Sequence, residues 1–317
     1  MRIALLSNPS SGRGRHAAAD DVTRRLLGEA GHEVLHVRGS SYEQARRAGR
    51  ALLGDGPNQD VEALVVVGGD GMVHLGVDIV AMTDVPLGIV ATGTGNDIAR
   101  HFGLPSRDAA ASAHLIDQAL SGEGAITAID AIYASRPDGA LLAPQHRWSL
   151  AVVSAGLDAA VNARANTLSW PSGEGRYLRA VVGELVGLAP YGYRLTTDSG
   201  TWEGAALLVA VANTRYIGGG MDLSPDADAA DGLLDVLRLD PVRRVRLLGL
   251  LARLFSGAHL GDPAVHLERS RIVIIEALPP GTGLRAPPRP MADGEAIAGL
   301  PLRLEAVPDV VSVLLPR

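Results

Sequence analysis

Three glycine-punctuated turns, each after an apolar run, hold the residues best suited to chemistry in this chain. The first is Asn8-Pro9-Ser10-Ser11-Gly12, which follows RIALLS. Its Pro and Gly enforce a tight turn whose successive amides can form an anion nest, and Ser10 and Ser11 add hydroxyl donors. Arg13 and Arg15 add positive charge, although taken alone the segment reads as a strand-to-helix loop. The second is Gly68-Gly69-Asp70-Gly71, after ALVVV. Glycines let backbone approach a phosphate closely. A carboxylate beside polyphosphate is repulsive unless a divalent cation lies between, so Asp70 points to Mg²⁺. The competing reading makes Asp70 the N-cap of the next helix. The third is Gly93-Thr94-Gly95-Asn96-Asp97, after PLGIV. Thr94 offers a hydroxyl, and a helix starting near Asn96 would aim its positive dipole end at the same anion. Here the competing reading is capping by Asn96 or Asp97. Each turn is a weak signal singly. Together they lie where open α/β sheets bind ligands, at the carboxyl ends of strands.

A second group is acidic. Asp222, Asp226, Asp228, Asp231 and Asp235 crowd a short stretch after Gly218-Gly219-Gly220. Clustered carboxylates suit a hard cation, but a solvated acidic turn is the commoner origin of such runs. Asp293-Gly294 is a hairpin signal, and Glu295 beyond it reads by itself as an exposed strand residue. Asp158 either accepts a hydrogen bond from a ligand hydroxyl or caps a turn.

The elements that would position these residues follow from periodicity. Strands are expected at 2–7, 33–37, 63–67 and 86–90, and helices at 17–30, 42–53, 72–81, 96–99 and 109–120. That alternation predicts a doubly wound parallel sheet covered on both faces, a nucleotide-type α/β domain over residues 1–125. The pattern then changes. Strands at 126–135, 147–154, 193–197, 205–212, 233–239 and 271–277, with helices at 177–188 and 242–255, predict an antiparallel β-sandwich over residues 126–305. Residues 279–290 form a Pro-rich loop. The 242–255 helix carries Arg243, Arg244, Arg246 and Arg253 around an apolar run. It could lie on an anionic membrane, but the expected arrangement packs it on the β-domain with its arginines solvated.

Composition narrows the function classes. The chain has 317 residues, 47% of them hydrophobic, with a net charge of −6, which argues against nucleic-acid binding. It has no cysteine, so disulfides and thiolate metal sites are ruled out. All 29 basic residues are arginine, which rules out a catalytic lysine of the P-loop kind. No apolar run is long enough to span a bilayer, so the expectation is a cytoplasmic protein with peripheral membrane contact.

In order, the three turns resemble the catalytic domain of the diacylglycerol kinase family, which includes soluble bacterial lipid kinases and, more distantly, sphingosine and ceramide kinases. The resemblance continues through Gly156-Leu157-Asp158-Ala159, Gly218-Gly219-Gly220-Met221 and Asp231-Gly232-Leu233-Leu234-Asp235-Val236 to Asp293-Gly294-Glu295. It implies an ATP- and Mg²⁺-dependent lipid kinase with an α/β nucleotide domain, a β-rich lipid-side domain and a C-terminal segment, 306–317, returning to the first domain. Asn8 to Gly12, Gly68, Gly69, Asp70, Gly71, Met72, Val73, His74 and the Thr94 turn would then bind ATP, with Ser40 or Ser41 contacting nucleotide. Asp228, Asp231 and the Leu233 carbonyl match a Mg²⁺ site of relatives, and Glu295 matches the proton acceptor. Three departures stand out: Met72 where the family usually has Thr, Leu75 where it often has Glu, and Ala91-Thr92 where a Pro is usual. The expected partner is a lipid at a membrane surface, and a homodimer is an admissible assembly. Two other readings remain open. One is an NAD kinase-like enzyme sharing the GGDG turn. The other is a catalytically weakened nucleotide- or lipid-binding regulator.

Overall fold

The computed structural model of the chain describes residues 1–7, 15–38, 41–53, 61–168, 174–279 and 283–317. Strands β1 (Arg2–Ser7), β2 (Glu33–Arg38), β3 (Ala63–Gly68) and β4 (Leu87–Ala91) run parallel in the order β2-β1-β3-β4. Among the described residues this half holds the helices α1 (Arg15–Glu29), α2 (Tyr42–Leu53), α3 (Asp70–Val80), the single-turn α4 (Asp97–His101) and α5 (Ala109–Leu120). Side chains alternate across the strands. Ile3, Leu5, Val65 and Val67 therefore bury against Leu27 of α1 and Ile116 of α5, whereas Ala4, Leu6, Leu64 and Val66 bury against Leu53 of α2 and Val77 of α3. Both faces need apolar cover, which is why these strands read as continuous hydrophobic runs. The chain winds outward in both directions from β1 and β3, so the switch point lies between them, and Ser7 sits opposite Val67. The carboxyl ends of these two strands thus lie side by side.

The second half contributes β5 (Ala125–Ser135), β6 (Trp148–Ser149), β7 (Val152–Gly156), α6 (Leu157–Thr167), α7 (Glu174–Val186), β8 (Tyr191–Thr197), β9 (Gly200–Ala206) and β10 (Leu208–Ala212). It continues with β11 (Tyr216–Ile217), β12 (Met221–Asp222), β13 (Leu234–Leu239), α8 (Arg244–Leu254), β14 (Val265–Ser270) and β15 (Ile272–Ala277). Last come β16 (Met291–Ala292), β17 (Glu295–Ala296) and β18 (Leu302–Leu315). One sheet, β14-β13-β10-β7-β16-β17, is antiparallel throughout. It packs on the far part of the first sheet, which continues past β4 as β18-β15-β8-β9. Val153, Val209, Val211 and Val236 meet Tyr193, Ile275 and Leu304 between the two layers, forming the core of a β-sandwich. β18 joins the halves: it pairs with β15 and β5, and its Val313 pairs with Leu87 of β4.

Three expectations change. The segment expected as one strand at 147–154 is two, because the amides of Leu150, Ala151 and Val152 bond to the Asp293 side chain instead of a neighbouring strand. The segment at 205–212 is also divided, since the chain leaves the first sheet at β9 and enters the second at β10. Helix α6 was not expected. Its sequence LDAAVNARANT has good helix formers but no apolar stripe, and it closes only three residues, Ala159, Val161 and Ala165, against the protein.

Candidate active site between the two halves

β3 and β4 deliver the second and third turns against each other. A Cβ on Gly93 would stand 2.5 Å from the Gly69 Cα, so the two turns meet backbone to backbone and no side chain fits between them. Asp70 opens α3 without capping it, since Gly69 holds the cap position. Its Oδ1 instead accepts from the Ile98 amide of α4 at 3.2 Å, and its Oδ2 faces Gly95. Asp97, nearly buried, accepts from the amides of Gly219 at 2.8 Å and Gly220 at 2.7 Å. Gly218, Gly219 and Gly220 all have positive φ (64°, 93° and 100°), a run that L side chains would resist and that points consecutive amides at one carboxylate. Burial, with the charge of Asp97 next, pushes the Asp70 carboxyl up to about 6. Burial also raises Asp97, against the pull of its glycine amides.

This geometry corrects the expected role of the helix near Asn96. α4 is one turn long and its Ile98 amide is taken by Asp70, so the protein's own carboxylate occupies that positive end. Asn96 braces the turn from inside, donating to the Gly93 carbonyl at 3.1 Å and to Ser106 at 2.8 Å. Thr94 is exposed at the apex. Beside it Arg107 donates to the Thr94 carbonyl at 3.1 Å, which puts an exposed guanidinium at the turn that sequence reasoning missed.

The Asp293-Gly294 pair does form the hairpin turn, with φ values of 49° and 87°, between β16 and β17. It carries Glu295 to α3: the Glu295 Oε1 lies 3.2 Å from where a Cβ on Gly71 would stand. The Asp293 side chain is buried. It accepts from the Leu150, Ala151 and Val152 amides at 2.9, 2.8 and 3.1 Å, and pairs with His74 Nδ1 at 2.9 Å. His74 therefore faces the hairpin from inside the protein. Burial opposes its charge, but the Asp293 hydrogen bond and the charges of Asp293, Asp78 and Glu295 outweigh that and raise its pKa. Among the other residues expected at ATP, Val73 is in the core and Met72 folds back over Gly68. Leu75, one of the departures, is core as well. Asn8 to Gly12 and Ser40 lie outside the described residues.

The residues expected to hold metal share one turn. Asp228 accepts from the Ala230 amide at 3.0 Å and Asp231 from the Leu233 amide at 2.9 Å, while Arg269 reaches Asp231 at 3.3 Å and Asp235 at 3.1 Å. Among the described residues no three His, Asp or Glu side chains gather to hold a metal, so a cation at this turn would rest on Asp228, Asp231 and backbone oxygens such as the Leu233 carbonyl. Arg269 and, on Asp222, Arg215 at 2.7 Å bring positive charge to this acidic run.

Asp158 stands in the first turn of α6. The residue is half-buried, but both carboxylate oxygens are sealed from water. The Ser154 hydroxyl and the amides of Asp158 and Ala159 approach them without closing a hydrogen bond of ordinary geometry. Burial pushes this carboxyl up to about 6. Sealed carboxylate oxygens without full partners are what a polar ligand group would satisfy.

Comparison with known proteins gives the family and the fold. Residues 2–131 match the model of the diacylglycerol kinase catalytic domain, and residues 151–315 match that of the YegS C-terminal NAD kinase beta sandwich-like domain. A diacylglycerol kinase of Mycobacterium tuberculosis is 36% identical over 318 residues, covering 100% of this chain and 96% of that protein. This chain belongs to the diacylglycerol kinase family. A crystal structure of a diacylglycerol kinase from Bacillus anthracis shares the fold of this kinase, with a TM-score of 0.67 at 18% identity over 99% of this chain and 96% of that one. Yeast NADH kinase, solved with NADH, shares the fold more distantly, with a TM-score of 0.57 at 12% identity over 100% of this chain and 84% of that one. Among the described residues of the kinase, no helix is long and apolar enough to cross a membrane.

Proposed function

We propose that this enzyme transfers the γ-phosphoryl group of ATP to the hydroxyl of a diacylglycerol-like membrane lipid. The observation that carries the reading is the contact of Gly69 with Gly93, which joins the two glycine turns at the start of α3, where Asp70 opens the helix and Glu295 reaches over Gly71. Phosphoryl transfer needs positioning and charge neutralisation more than covalent chemistry, and a cleft of this kind supplies both. The backbone of Gly69 to Gly71 and the exposed Thr94 turn would hold the phosphates, with Arg107 adding positive charge.

Mg²⁺ fits the donor set. Asp70 is a hard oxygen ligand whose ionisation is held back by burial and by Asp97, a penalty that a divalent cation removes. When bound, the ion would neutralise charge on the transferring phosphate. Glu295 takes the proton of the lipid hydroxyl as the new oxygen–phosphorus bond forms and the bond to ADP breaks. Asp158 accepts a hydrogen bond from a polar group of the lipid. The lipid is reached from the membrane surface by peripheral contact.

The test is incubation with labelled ATP and Mg²⁺ in three arms: diacylglycerol in mixed micelles, total lipid extract, and NAD. Label in the diacylglycerol arm is expected. Label in NAD alone would make the enzyme a soluble-metabolite kinase. ATP binding by calorimetry with no transfer in any arm would make it a regulator.

A further inference from the structure

We propose that His74 is a positioning residue: its bond to Asp293 ties the hairpin that carries Glu295 to the helix that carries Asp70. This rests on Glu295 being the group that acts on the acceptor hydroxyl. Asp293 receives four donors, and three of them, the amides of Leu150, Ala151 and Val152, belong to the same half of the molecule as the hairpin. Those three fix the hairpin within its own half and leave its placement against α3 undetermined. The fourth donor, His74 Nδ1 at 2.9 Å, comes from α3 itself. His74 lies three residues after Gly71, over which Glu295 sits, and four after Asp70, so all three positions share one helix face. The bond is sealed: the side chains of His74 and Asp293 are 1% and 0% exposed. Tyr42 of α2 covers the imidazole with its ring centroid 6.2 Å away, and Asp78 on the same helix is engaged by Arg46 at 2.5 Å. A residue in the nucleotide-binding segment thus works through the opposite half of the molecule.

The full-length enzyme tests this with three variants. His74→Leu fills the space and removes the donor, His74→Asn can return a nitrogen near the Nδ1 position, and Asp293→Asn alters the other partner. For His74→Leu, kcat on diacylglycerol should fall at least about tenfold, because misplacement of about 1 Å at a reacting group can cost about a hundredfold. KM for ATP should stay within about twofold of wild type, since the glycine turns are untouched. His74→Asn should restore most of kcat. Asp293→Asn should show the same split, and the double variant His74→Leu/Asp293→Asn should lose no more than the worse single one. Wild-type kcat in His74→Leu, a parallel rise in KM, or equal loss in the Leu and Asn variants would overturn the proposal. If His74→Leu does not fold, Asp293→Asn decides, and wild-type kcat there overturns it as well. Amide exchange without substrate keeps this separate from the choice of lipid. His74→Leu should speed exchange in residues 293–296 while His74→Asn should not, and unchanged exchange in the Leu variant would count against the clasp whatever the enzyme phosphorylates.

Discussion

Two regions of the molecule are built on opposite terms. Around α3 and α4 most polar groups are partnered: Asp70 by the Ile98 amide, Asp97 by Gly219 and Gly220, and the Asn96 Nδ2 by Gly93 and Ser106, with one oxygen each of Asn96 and Asp78 buried without a partner. The glycine contact there leaves no room for a methyl group. Around α6, α7 and α8 the Asp158 oxygens are sealed without ordinary hydrogen bonds, and Val182, Val186, Val245 and Leu248 are 54%, 72%, 83% and 52% exposed. The first side is pre-organised for a small, highly charged group whose geometry never varies. The second keeps polar and apolar groups unsatisfied, as a site for an amphiphile would. Changes on the first side should therefore strike the chemical step, whereas changes on the second should strike lipid capture and leave the chemistry intact.

The largest effect should come from Asp70→Asn. The amide oxygen can still accept from Ile98, so the fold should survive, but the charge beside the phosphates is lost. A drop in kcat of about a thousandfold is expected, the scale of losing one group that stabilises transition-state charge. The rise in melting temperature produced by Mg²⁺-ATP should also vanish. Wild-type turnover in this variant would remove Asp70 from the reaction.

Gly93→Ala comes next. A methyl group 2.5 Å from the Gly69 backbone must push the turns apart. We expect about a hundredfold loss in kcat/KM for ATP and about 1–3 kcal/mol of destabilisation by urea unfolding. Gly28→Ala is the matched control: its methyl meets open space on α1, so stability should rise by about 0.4–1 kcal/mol with kinetics unchanged. If Gly93→Ala behaved like the control, the two turns would not be in contact.

Asp158→Asn should separate stability from activity. The folded carboxyl holds its proton up to about 6, above the ordinary value of 3.8. The folded state therefore binds that proton more tightly than the unfolded chain. Its contribution is complete below about 4 and is lost as pH rises through about 6. At pH 7.5 the ionised, sealed Asp158 should destabilise the fold by about 2–3 kcal/mol. The Asn variant should melt higher than wild type at pH 7.5 and nearly equal to it at pH 4, with KM for lipid raised about tenfold. A lower melting temperature at pH 7.5 would show that the carboxylate is satisfied within the protein.

The same contrast explains what the sequence disclosed. The doubly wound half was legible almost strand for strand, because a strand such as ALVVV buried on both faces and ended by Gly-Gly admits one reading. The second and third glycine turns were legible as turns, but the tasks of their side chains were not. Asp97 bonds glycines 122 and 123 residues later, and His74 pairs with Asp293 across 219 residues, relations that no local spacing records. For the same reason Asp293 read only as half of a hairpin signal. On the lipid side, α6 lacks an amphipathic stripe, and the strand at 205–212 changes sheets midway, so periodicity gave no warning of either.

The smallest effect should appear on the outer face of α7 and α8. The sequence led us to expect α8 packed on the β-domain with solvated arginines, and Leu247 and Leu250 do pack inward. The outward face is nevertheless apolar at Val245 and Leu248, and it adjoins Val186 of α7 through the Arg244 bond to the Val186 carbonyl at 2.7 Å. Arg243 is exposed beside it. An apolar patch next to arginine suits an anionic bilayer, where insertion and charge attraction add. The double variant Val245→Asp/Leu248→Asp should bind phosphatidylglycerol vesicles about tenfold more weakly, at roughly 1.4 kcal/mol per tenfold. Its melting temperature should barely change, because surface substitutions usually act within about 0.5 kcal/mol. Its kcat on a water-soluble short-chain diacylglycerol should equal that of wild type, since nothing near α3 is touched. Equal vesicle binding by variant and wild type would make this face ordinary solvated surface. Equal loss on vesicles and on the soluble lipid would erase the division between a chemical side and a capture side.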